Sequence, residues 1–174
     1  MYAEWTLAMV NSSSIINHKE MIALIHFERL SKDHLELVLK WRTSENITKY
    51  MSTDIDYDLE KQLSWFNSIN KCETSEYFII KYKNSPIGLN SINDICNRHK
   101  HCLGGYYIGD SRFQAKLGGI IPIFTLNYIF EVKKLNKSIA NIFTENSKVI
   151  EIYKRLGYRE VGVFKNHIMK KDKT

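Results

Sequence analysis

Two stretches of the chain carry residue types whose spacing points to chemistry. The first is Arg112-Phe113-Gln114-Ala115-Lys116-Leu117-Gly118-Gly119, between an aromatic, strand-like run and an apolar, helix-like one. Glycines at a strand-to-helix junction let backbone N–H groups face outward at a helix N-terminus, where free donors and the helix dipole favour an anion such as a pyrophosphate. Arg112 and Lys116 bring positive charge to the same place. The bland alternative is a turn leading into a core helix. The second stretch runs from Asn146 to Tyr158 and ends Tyr153-Lys154-Arg155-Leu156-Gly157-Tyr158. Asn146 is a plausible N-cap and Gly157 a C′ residue, so Ser147 to Leu156 reads as a helix.

Other elements must position these two. Residues 1–20 show no sustained period and are expected to lie outside the fold, leaving 21–174 as one domain. A strand is expected over Ile22–Glu28, a helix through Leu35, Val38, Leu39 and Trp41, and a second helix over Leu59–Ile69 with Asp56 or Asp58 at its start. Its apolar stripe is Leu59, Leu63, Trp65, Phe66 and Ile69. Tyr77–Tyr82 and Ile87–Ile92 form a hairpin about Asn84-Ser85-Pro86, and Leu103–Gly109 is a further strand. A loop over Asp110–Leu117 leads to a long helix from Gly118 to Val132, with Pro122 tolerated in its first turn. Strands at Ser138–Phe143 and Tyr158–Phe164 flank the helix that carries Tyr153. The order β-α-α-β-β-β-α-β-α-β makes this an α/β (α+β) chain.

Composition limits the classes. The chain has 174 residues, 44% of them hydrophobic and 25% charged, which suits one soluble globular domain. The three cysteines cannot all pair with one another, so a reducing, cytoplasmic setting is expected. No stretch approaches the roughly 18 apolar residues of a membrane span. The net charge of +6 is spread along the chain without a basic block, which argues against nucleic acid and fits a small polyanion. The run Cys96-Asn97-Arg98-His99-Lys100-His101-Cys102 has metal-ligating residue types, but it falls at a turn and lacks the two separated pairs of a structural zinc site. No metal is expected.

Taken together, the glycine-bearing junction, the helix and strand after it, Asn146, and the Y-x-x-x-G-Y helix end resemble the GNAT acetyltransferases over about residues 100–164. The loop departs from that family's usual Q/R-x-x-G-x-G/A by one extra residue before the glycines. The resemblance implies a central mixed, mostly antiparallel twisted sheet of six to seven strands flanked by about four helices. It implies acetyl-CoA as co-substrate, with the strand 105–109 splaying from its neighbour to pair with the pantetheine arm, Tyr107, Ile108 and Gly109 being its cofactor-binding residues. Arg112, Gln114, Lys116, Leu117, Gly118 and Gly119 would then meet the diphosphate, with Asn146 and Lys148 beside the cofactor. Tyr153 would protonate the departing thiolate. At a pKa of about 10 a phenol still holds its proton at neutral pH.

The acceptor is narrowed by Lys40-Trp41-Arg42, Glu45-Asn46-Ile47 and Tyr50-Met51, with Ile87-Gly88 and Ser91-Ile92. These resemble a GNAT branch containing the N-acetyltransferase of pseudaminic acid biosynthesis, which acts on a UDP-linked amino sugar, and RimJ/RimL-type enzymes that act on protein N-termini. The sugar is the favoured acceptor, with Arg42, Tyr50, Met51, Trp65, Ser91 and Tyr106 around it, because rings and an arginine suit a base and a diphosphate. Trp41 and Trp65 could equally be core. No general base stands out among Asp94, Asp110 and the histidines. A non-catalytic CoA-binding module is the competing class. The family usually has one more strand where the turn-like Lys170–Thr174 stops, so the expectation is either a truncated chain or an edge covered by residues 1–20 or by a second subunit, as in a homodimer.

Overall fold

The computed structural model describes residues 24–170. The extension 1–20, the start of the first expected strand at Ile22 and the final residues of the expected turn lie outside the described residues. Five strands form one sheet in chain order: β1 (Ile25–Arg29), β2 (Glu76–Tyr82), β3 (Ser85–Cys96), β4 (His101–Ile108) and β5 (Lys137–Ile139). Neighbours are antiparallel from β1 to β4, and β5 runs parallel to β4. The β2–β3 hairpin turns at Lys83 and Asn84, both with positive φ, as a two-residue type I′ loop requires. Pro86 is tolerated inside β3 because the register slips there, between Ile80 and Lys81 on the partner strand.

The helices are α1 (Leu35–Thr43), α2 (Glu45–Thr48), α3 (Leu59–Ile69), α4 (Ser111–Leu117), α5 (Ile121–Asn127) and α6 (Ser147–Arg155). Strand alternation sends side chains to two faces. On one, Ile25, Ile80, Ile87 and Ile108 meet Leu117 and Ile121 of the α4–α5 segment. On the other, Ile79 and Leu89 meet Val38 and Trp41 of α1 and Phe66 of α3. Tyr106 and Tyr107, adjacent on β4, therefore face opposite layers.

Several expectations shift. The loop expected over 110–117 is helix α4, because the Asp110 carboxylate accepts from the Arg112 amide and caps it. The long helix starts three residues late and ends in a wider turn over Tyr128–Val132, closed by the Lys133 amide on the Tyr128 carbonyl. Leu59 and Leu63 are exposed rather than part of the α3 stripe. Most consequential, the strand expected over 158–164 does not form: residues 158–170 have no regular structure, and Val161 is 96% exposed. The alternation was there, but no strand among the described residues pairs with it. The fold class stands, with five strands among the described residues where six or seven were expected.

Gly109 has a packing role. A Cβ there would lie 2.2 Å from the Trp41 ring, so α1 reaches β4 only because the side chain is absent. Gly109→Ala should destabilise the protein by about 1–3 kcal/mol through overpacking, read as a lower denaturation midpoint with the slope unchanged.

Candidate active site

β4 and β5 are paired only over His101–Leu103 and Lys137–Ile139. Beyond that they part, and a cleft of about 1280 Å³ opens, with Gly104 to Ile108 on one wall and Ala140 to Phe143 on the other. Backbone groups of an antiparallel strand point alternately toward and away from the partner. The Gln114 Nε2 donates to the Ile108 carbonyl at 2.9 Å from the α4 side, so Ile108 points away from β3. By alternation Tyr106 and Gly104 do as well. The Gly104 N–H still closes the last rung of the ladder on Ile139, and beyond it the Tyr106 and Ile108 N–H groups, with the Gly104 and Tyr106 carbonyls, form an unpaired strand edge facing the cleft.

Tyr153 stands beside this edge. Helix α6 ends with the Gly157 amide donating to the Lys154 carbonyl and the Tyr158 amide to the Tyr153 carbonyl, each at 3.0 Å, and Gly157 has φ 89°. This is a Schellman cap, whose usual companion is an apolar contact between the third residue from the end and the second after the cap. Here that contact is Tyr153 on Tyr158, centroids 4.6 Å apart. The Tyr158 hydroxyl shares a 2.6 Å hydrogen bond with Ser138 on β5. On the other side Tyr106 stacks on Tyr153 at 6.5 Å and donates to the Gly118 carbonyl at 2.6 Å. The phenol that lines the cleft is thereby fixed between both parted strands. Burial, with Tyr106 and Tyr158 nearby, pushes its pKa above the ordinary tyrosine range, so the Tyr153 phenol keeps its proton at neutral pH.

The residues singled out at the glycine-bearing junction divide. Gln114, Gly118 and Gly119 line the cleft, as do Tyr107 and Ile108 on β4 and Asn146 and Lys148 at the start of α6. Gly109, Arg112, Lys116 and Leu117 do not line it. Arg112 forks onto Asp110, Lys116 lies 5.9 Å over the Tyr82 ring, and Leu117 is fully buried in the core. The Gly118 and Ile120 amides already donate to Gln114 and Leu117 carbonyls. Asn146 occupies the N-cap position without a side-chain capping bond, so its amide group remains available to the cleft.

The other end of the cleft holds Arg42, Tyr50, Met51, Trp65 and Ser91, with Tyr106 between the two ends. Trp65 meets Tyr77 edge-on at 5.2 Å. The Arg42 guanidinium donates to the Thr53 carbonyl at 2.5 Å and its hydroxyl at 2.8 Å, so it braces the loop after α2. Residues that sequence reasoning passed over include Lys49, Asp54 and Asn141, all lining the cleft. Lys49 and Asp54 sit in irregular segments without a periodic signal, and Asn141 falls in the expected strand Ser138–Phe143, of which only the start forms, as β5 ends at Ile139. Asp94, Asp110 and the described histidines are not on its walls. Among the described residues, no three His, Cys, Asp or Glu side chains could share a metal ion.

The GNAT acetyltransferase domain model matches residues 25–159. The chain belongs to this family. As a GNAT protein it is similar to acetyltransferase PseH of Campylobacter jejuni subsp. jejuni serotype O:23/36 (strain 81-176), 27% identical over 135 residues, covering 78% of this chain and 83% of the relative. PseH of serotype O:2 (strain ATCC 700819 / NCTC 11168) is 26% identical over 136 residues, with the same coverage. The GNAT fold also matches the crystal structure of Vibrio cholerae spermidine N-acetyltransferase in complex with CoA and spermine, at TM-score 0.79 and 18% identity over 84% of this chain and 88% of that one. The C. jejuni N-acetyltransferase PseH structure superposes at TM-score 0.66 and 23% identity, covering 82% of this chain and 92% of that one. The protein is an N-acetyltransferase, and GNAT enzymes use acetyl-CoA. Among the described residues no single helix is long and apolar enough to cross a membrane.

The tyrosines of this GNAT core set its alkaline limit. Burial raises Tyr106, Tyr107 and Tyr153, and raises Tyr158 to about 12, against about 10 in an unfolded chain. A raised folded-state pKa means the contribution is intact below about pH 10 and lost as pH rises through the folded values. Stability should therefore fall steeply above about pH 10, with tyrosinate absorbance at 295 nm appearing together with unfolding. In addition, the Tyr107 hydroxyl is buried without a partner, so Tyr107→Phe should leave thermal stability unchanged or raise it.

Proposed function

We propose that this enzyme transfers the acetyl group of acetyl-CoA to the 4-amino group of a UDP-linked amino-dideoxy sugar, UDP-4-amino-4,6-dideoxy-N-acetyl-β-L-altrosamine, by direct attack in a ternary complex. The observation that carries acyl transfer is the unpaired β4 edge beside a protonated tyrosine. A strand edge of this kind binds an extended, amide-bearing chain by β-augmentation, and pantetheine is such a chain. The bound thioester would supply the activated acyl group. The residues that would hold it are the β4 edge for the arm, with Gly118, Gly119, Asn146 and Lys148 nearer the diphosphate. A cleft of about 1280 Å³ exceeds what one small ligand fills and leaves room for two substrates side by side.

Each protein group then has a task. The N–H groups on the β4 edge are donors positioned to stabilise charge developing on a carbonyl oxygen. The amine nitrogen attacks the carbonyl carbon, the carbon–sulfur bond breaks, and Tyr153 gives its proton to the leaving sulfur. The proton lost by the amine restores the phenol through solvent in the open cleft. At the acceptor end, Tyr50 and Trp65 offer ring surface for a base, and Lys49 offers charge for a diphosphate. The nucleotide sugar is favoured by the likeness to PseH over most of the chain. A small polyamine is the second reading, favoured by Asp54, Asp56 and Asp58 along the acceptor end and by the spermidine N-acetyltransferase fold match.

Incubation with acetyl-CoA and a panel of UDP-amino sugars, polyamines and peptide N-termini, followed by free-thiol release, tests this reading. The UDP-4-amino sugar should give the highest kcat/KM, and thiol release with no amine in the panel would overturn enzymatic acetyl transfer to these classes. Tyr153→Phe should lower kcat about 10²-fold or more while calorimetric CoA affinity is kept. Unchanged kcat would remove Tyr153 from the chemistry.

A further inference from the structure

The wall of the cleft at its acceptor end is an irregular loop, residues 49–57, with no helix or strand of its own. Such a loop keeps one shape only if something outside it takes up its polar groups. Two cations do so. Arg42, from α1, holds Thr53 as described above and reaches Thr48 Oγ1 at 3.3 Å. The other cation comes from more than a hundred residues further along the chain. Lys170 Nζ donates to the Thr48 carbonyl at 3.0 Å, to the Met51 carbonyl at 2.9 Å, and to the Asp54 carboxylate.

An ammonium has three N–H donors and no acceptor, and all three are used within one seven-residue span. The ion pair is partly shielded, with side-chain exposures of 28% for Lys170 and 23% for Asp54. Burial lowers the Arg42 pKa, and the nearby Tyr107 and Asp54 work against that shift. Residues 158–169 otherwise leave Val161, Phe164 and Met169 largely exposed, which makes the anchoring at Lys170 the more specific feature of this segment.

We propose that Lys170 is a positioning residue for the amine acceptor, holding residues 48–54 in the shape that forms the acceptor wall of the cleft. The proposal rests on the amine-acetylating reading above and adds a determinant remote in sequence from the cleft. Lys170 touches neither the β4 edge nor Tyr153, so its loss should act on acceptor binding and leave the cofactor end alone.

The test compares wild type with Lys170→Met and Lys170→Arg. Lys170→Met should raise KM for the best amine about tenfold or more, since small misplacements of a positioned group cost that much, with KM for acetyl-CoA and calorimetric CoA affinity unchanged. Lys170→Arg, which keeps the charge and donors, should recover part of the loss. A general folding defect would instead weaken both substrates and lower Tm. Hydrogen exchange gives a readout independent of catalysis: in Lys170→Met the amides of 48–54 should exchange faster while those of 101–108 do not. Unchanged amine KM, or unchanged exchange at 48–54, overturns the proposal. If wild type acetylates no amine at all, the functional reading fails by itself, and the exchange experiment still decides whether Lys170 orders the loop.

Discussion

β4 has a hydrogen-bonding partner on its outer side for only three residues. Past the Gly104 N–H the parallel ladder ends, and the Gly104 carbonyl and the outward backbone groups of Tyr106 and Ile108 are left facing a cavity. A row of unpaired amides is costly in a protein interior, and here it is tolerated because the cavity is open to solvent. Everything chemical in the molecule is arranged around that opening. Gln114 closes its far end by taking the Ile108 carbonyl, and the tyrosine ladder Tyr106, Tyr153 and Tyr158 keeps the strands from closing on each other.

The ladder explains how a residue on a short helix acquires a fixed place in a cleft. Tyr153 is located by a helix cap, through Gly157 and Tyr158, and by a hydrogen bond that ties Tyr158 to Ser138 of β5. Its opposite face meets Tyr106, whose hydroxyl also holds the Gly118 carbonyl. The burial that makes the stack cohesive also raises the phenol's pKa, so one arrangement supplies both position and protonation state. The glycine turn is joined to this same arrangement through the Gly118 carbonyl.

Much of this was legible in the residues, for physical reasons. Tyr153-x-x-x-Gly157-Tyr158 is a local cap motif whose geometry depends on a few neighbouring bonds, and the helix ended as expected. The hairpin, α1, α3 and β4 followed from periodicity and turn residues. The misreadings came where a local signal had a competitor. Glycines at 118 and 119 suggested a loop upstream, yet Asp110 was already a capping residue for α4. Tyr158–Phe164 alternates like a strand, but alternation builds a strand only when another chain segment offers hydrogen bonds. Arg112, Lys116 and Leu117 were grouped by sequence proximity, whereas a helical turn sends them to three different surroundings. Lys170 was read only as part of a turn, because its partners are more than a hundred residues away.

The cleft has two ends built from different material. The end at Tyr153 is made of sheet, helix cap and stacked rings, in which each part fixes several others. The end at Arg42 and Trp65 includes an irregular span, residues 49–57, held by two basic side chains. Mutations therefore carry unequal risk along the cavity: most changes at the first end disturb Tyr153, while changes at the second reshape a wall without moving it. A protein built this way can drift toward new amines through the positions of one loop while its transfer chemistry stays intact.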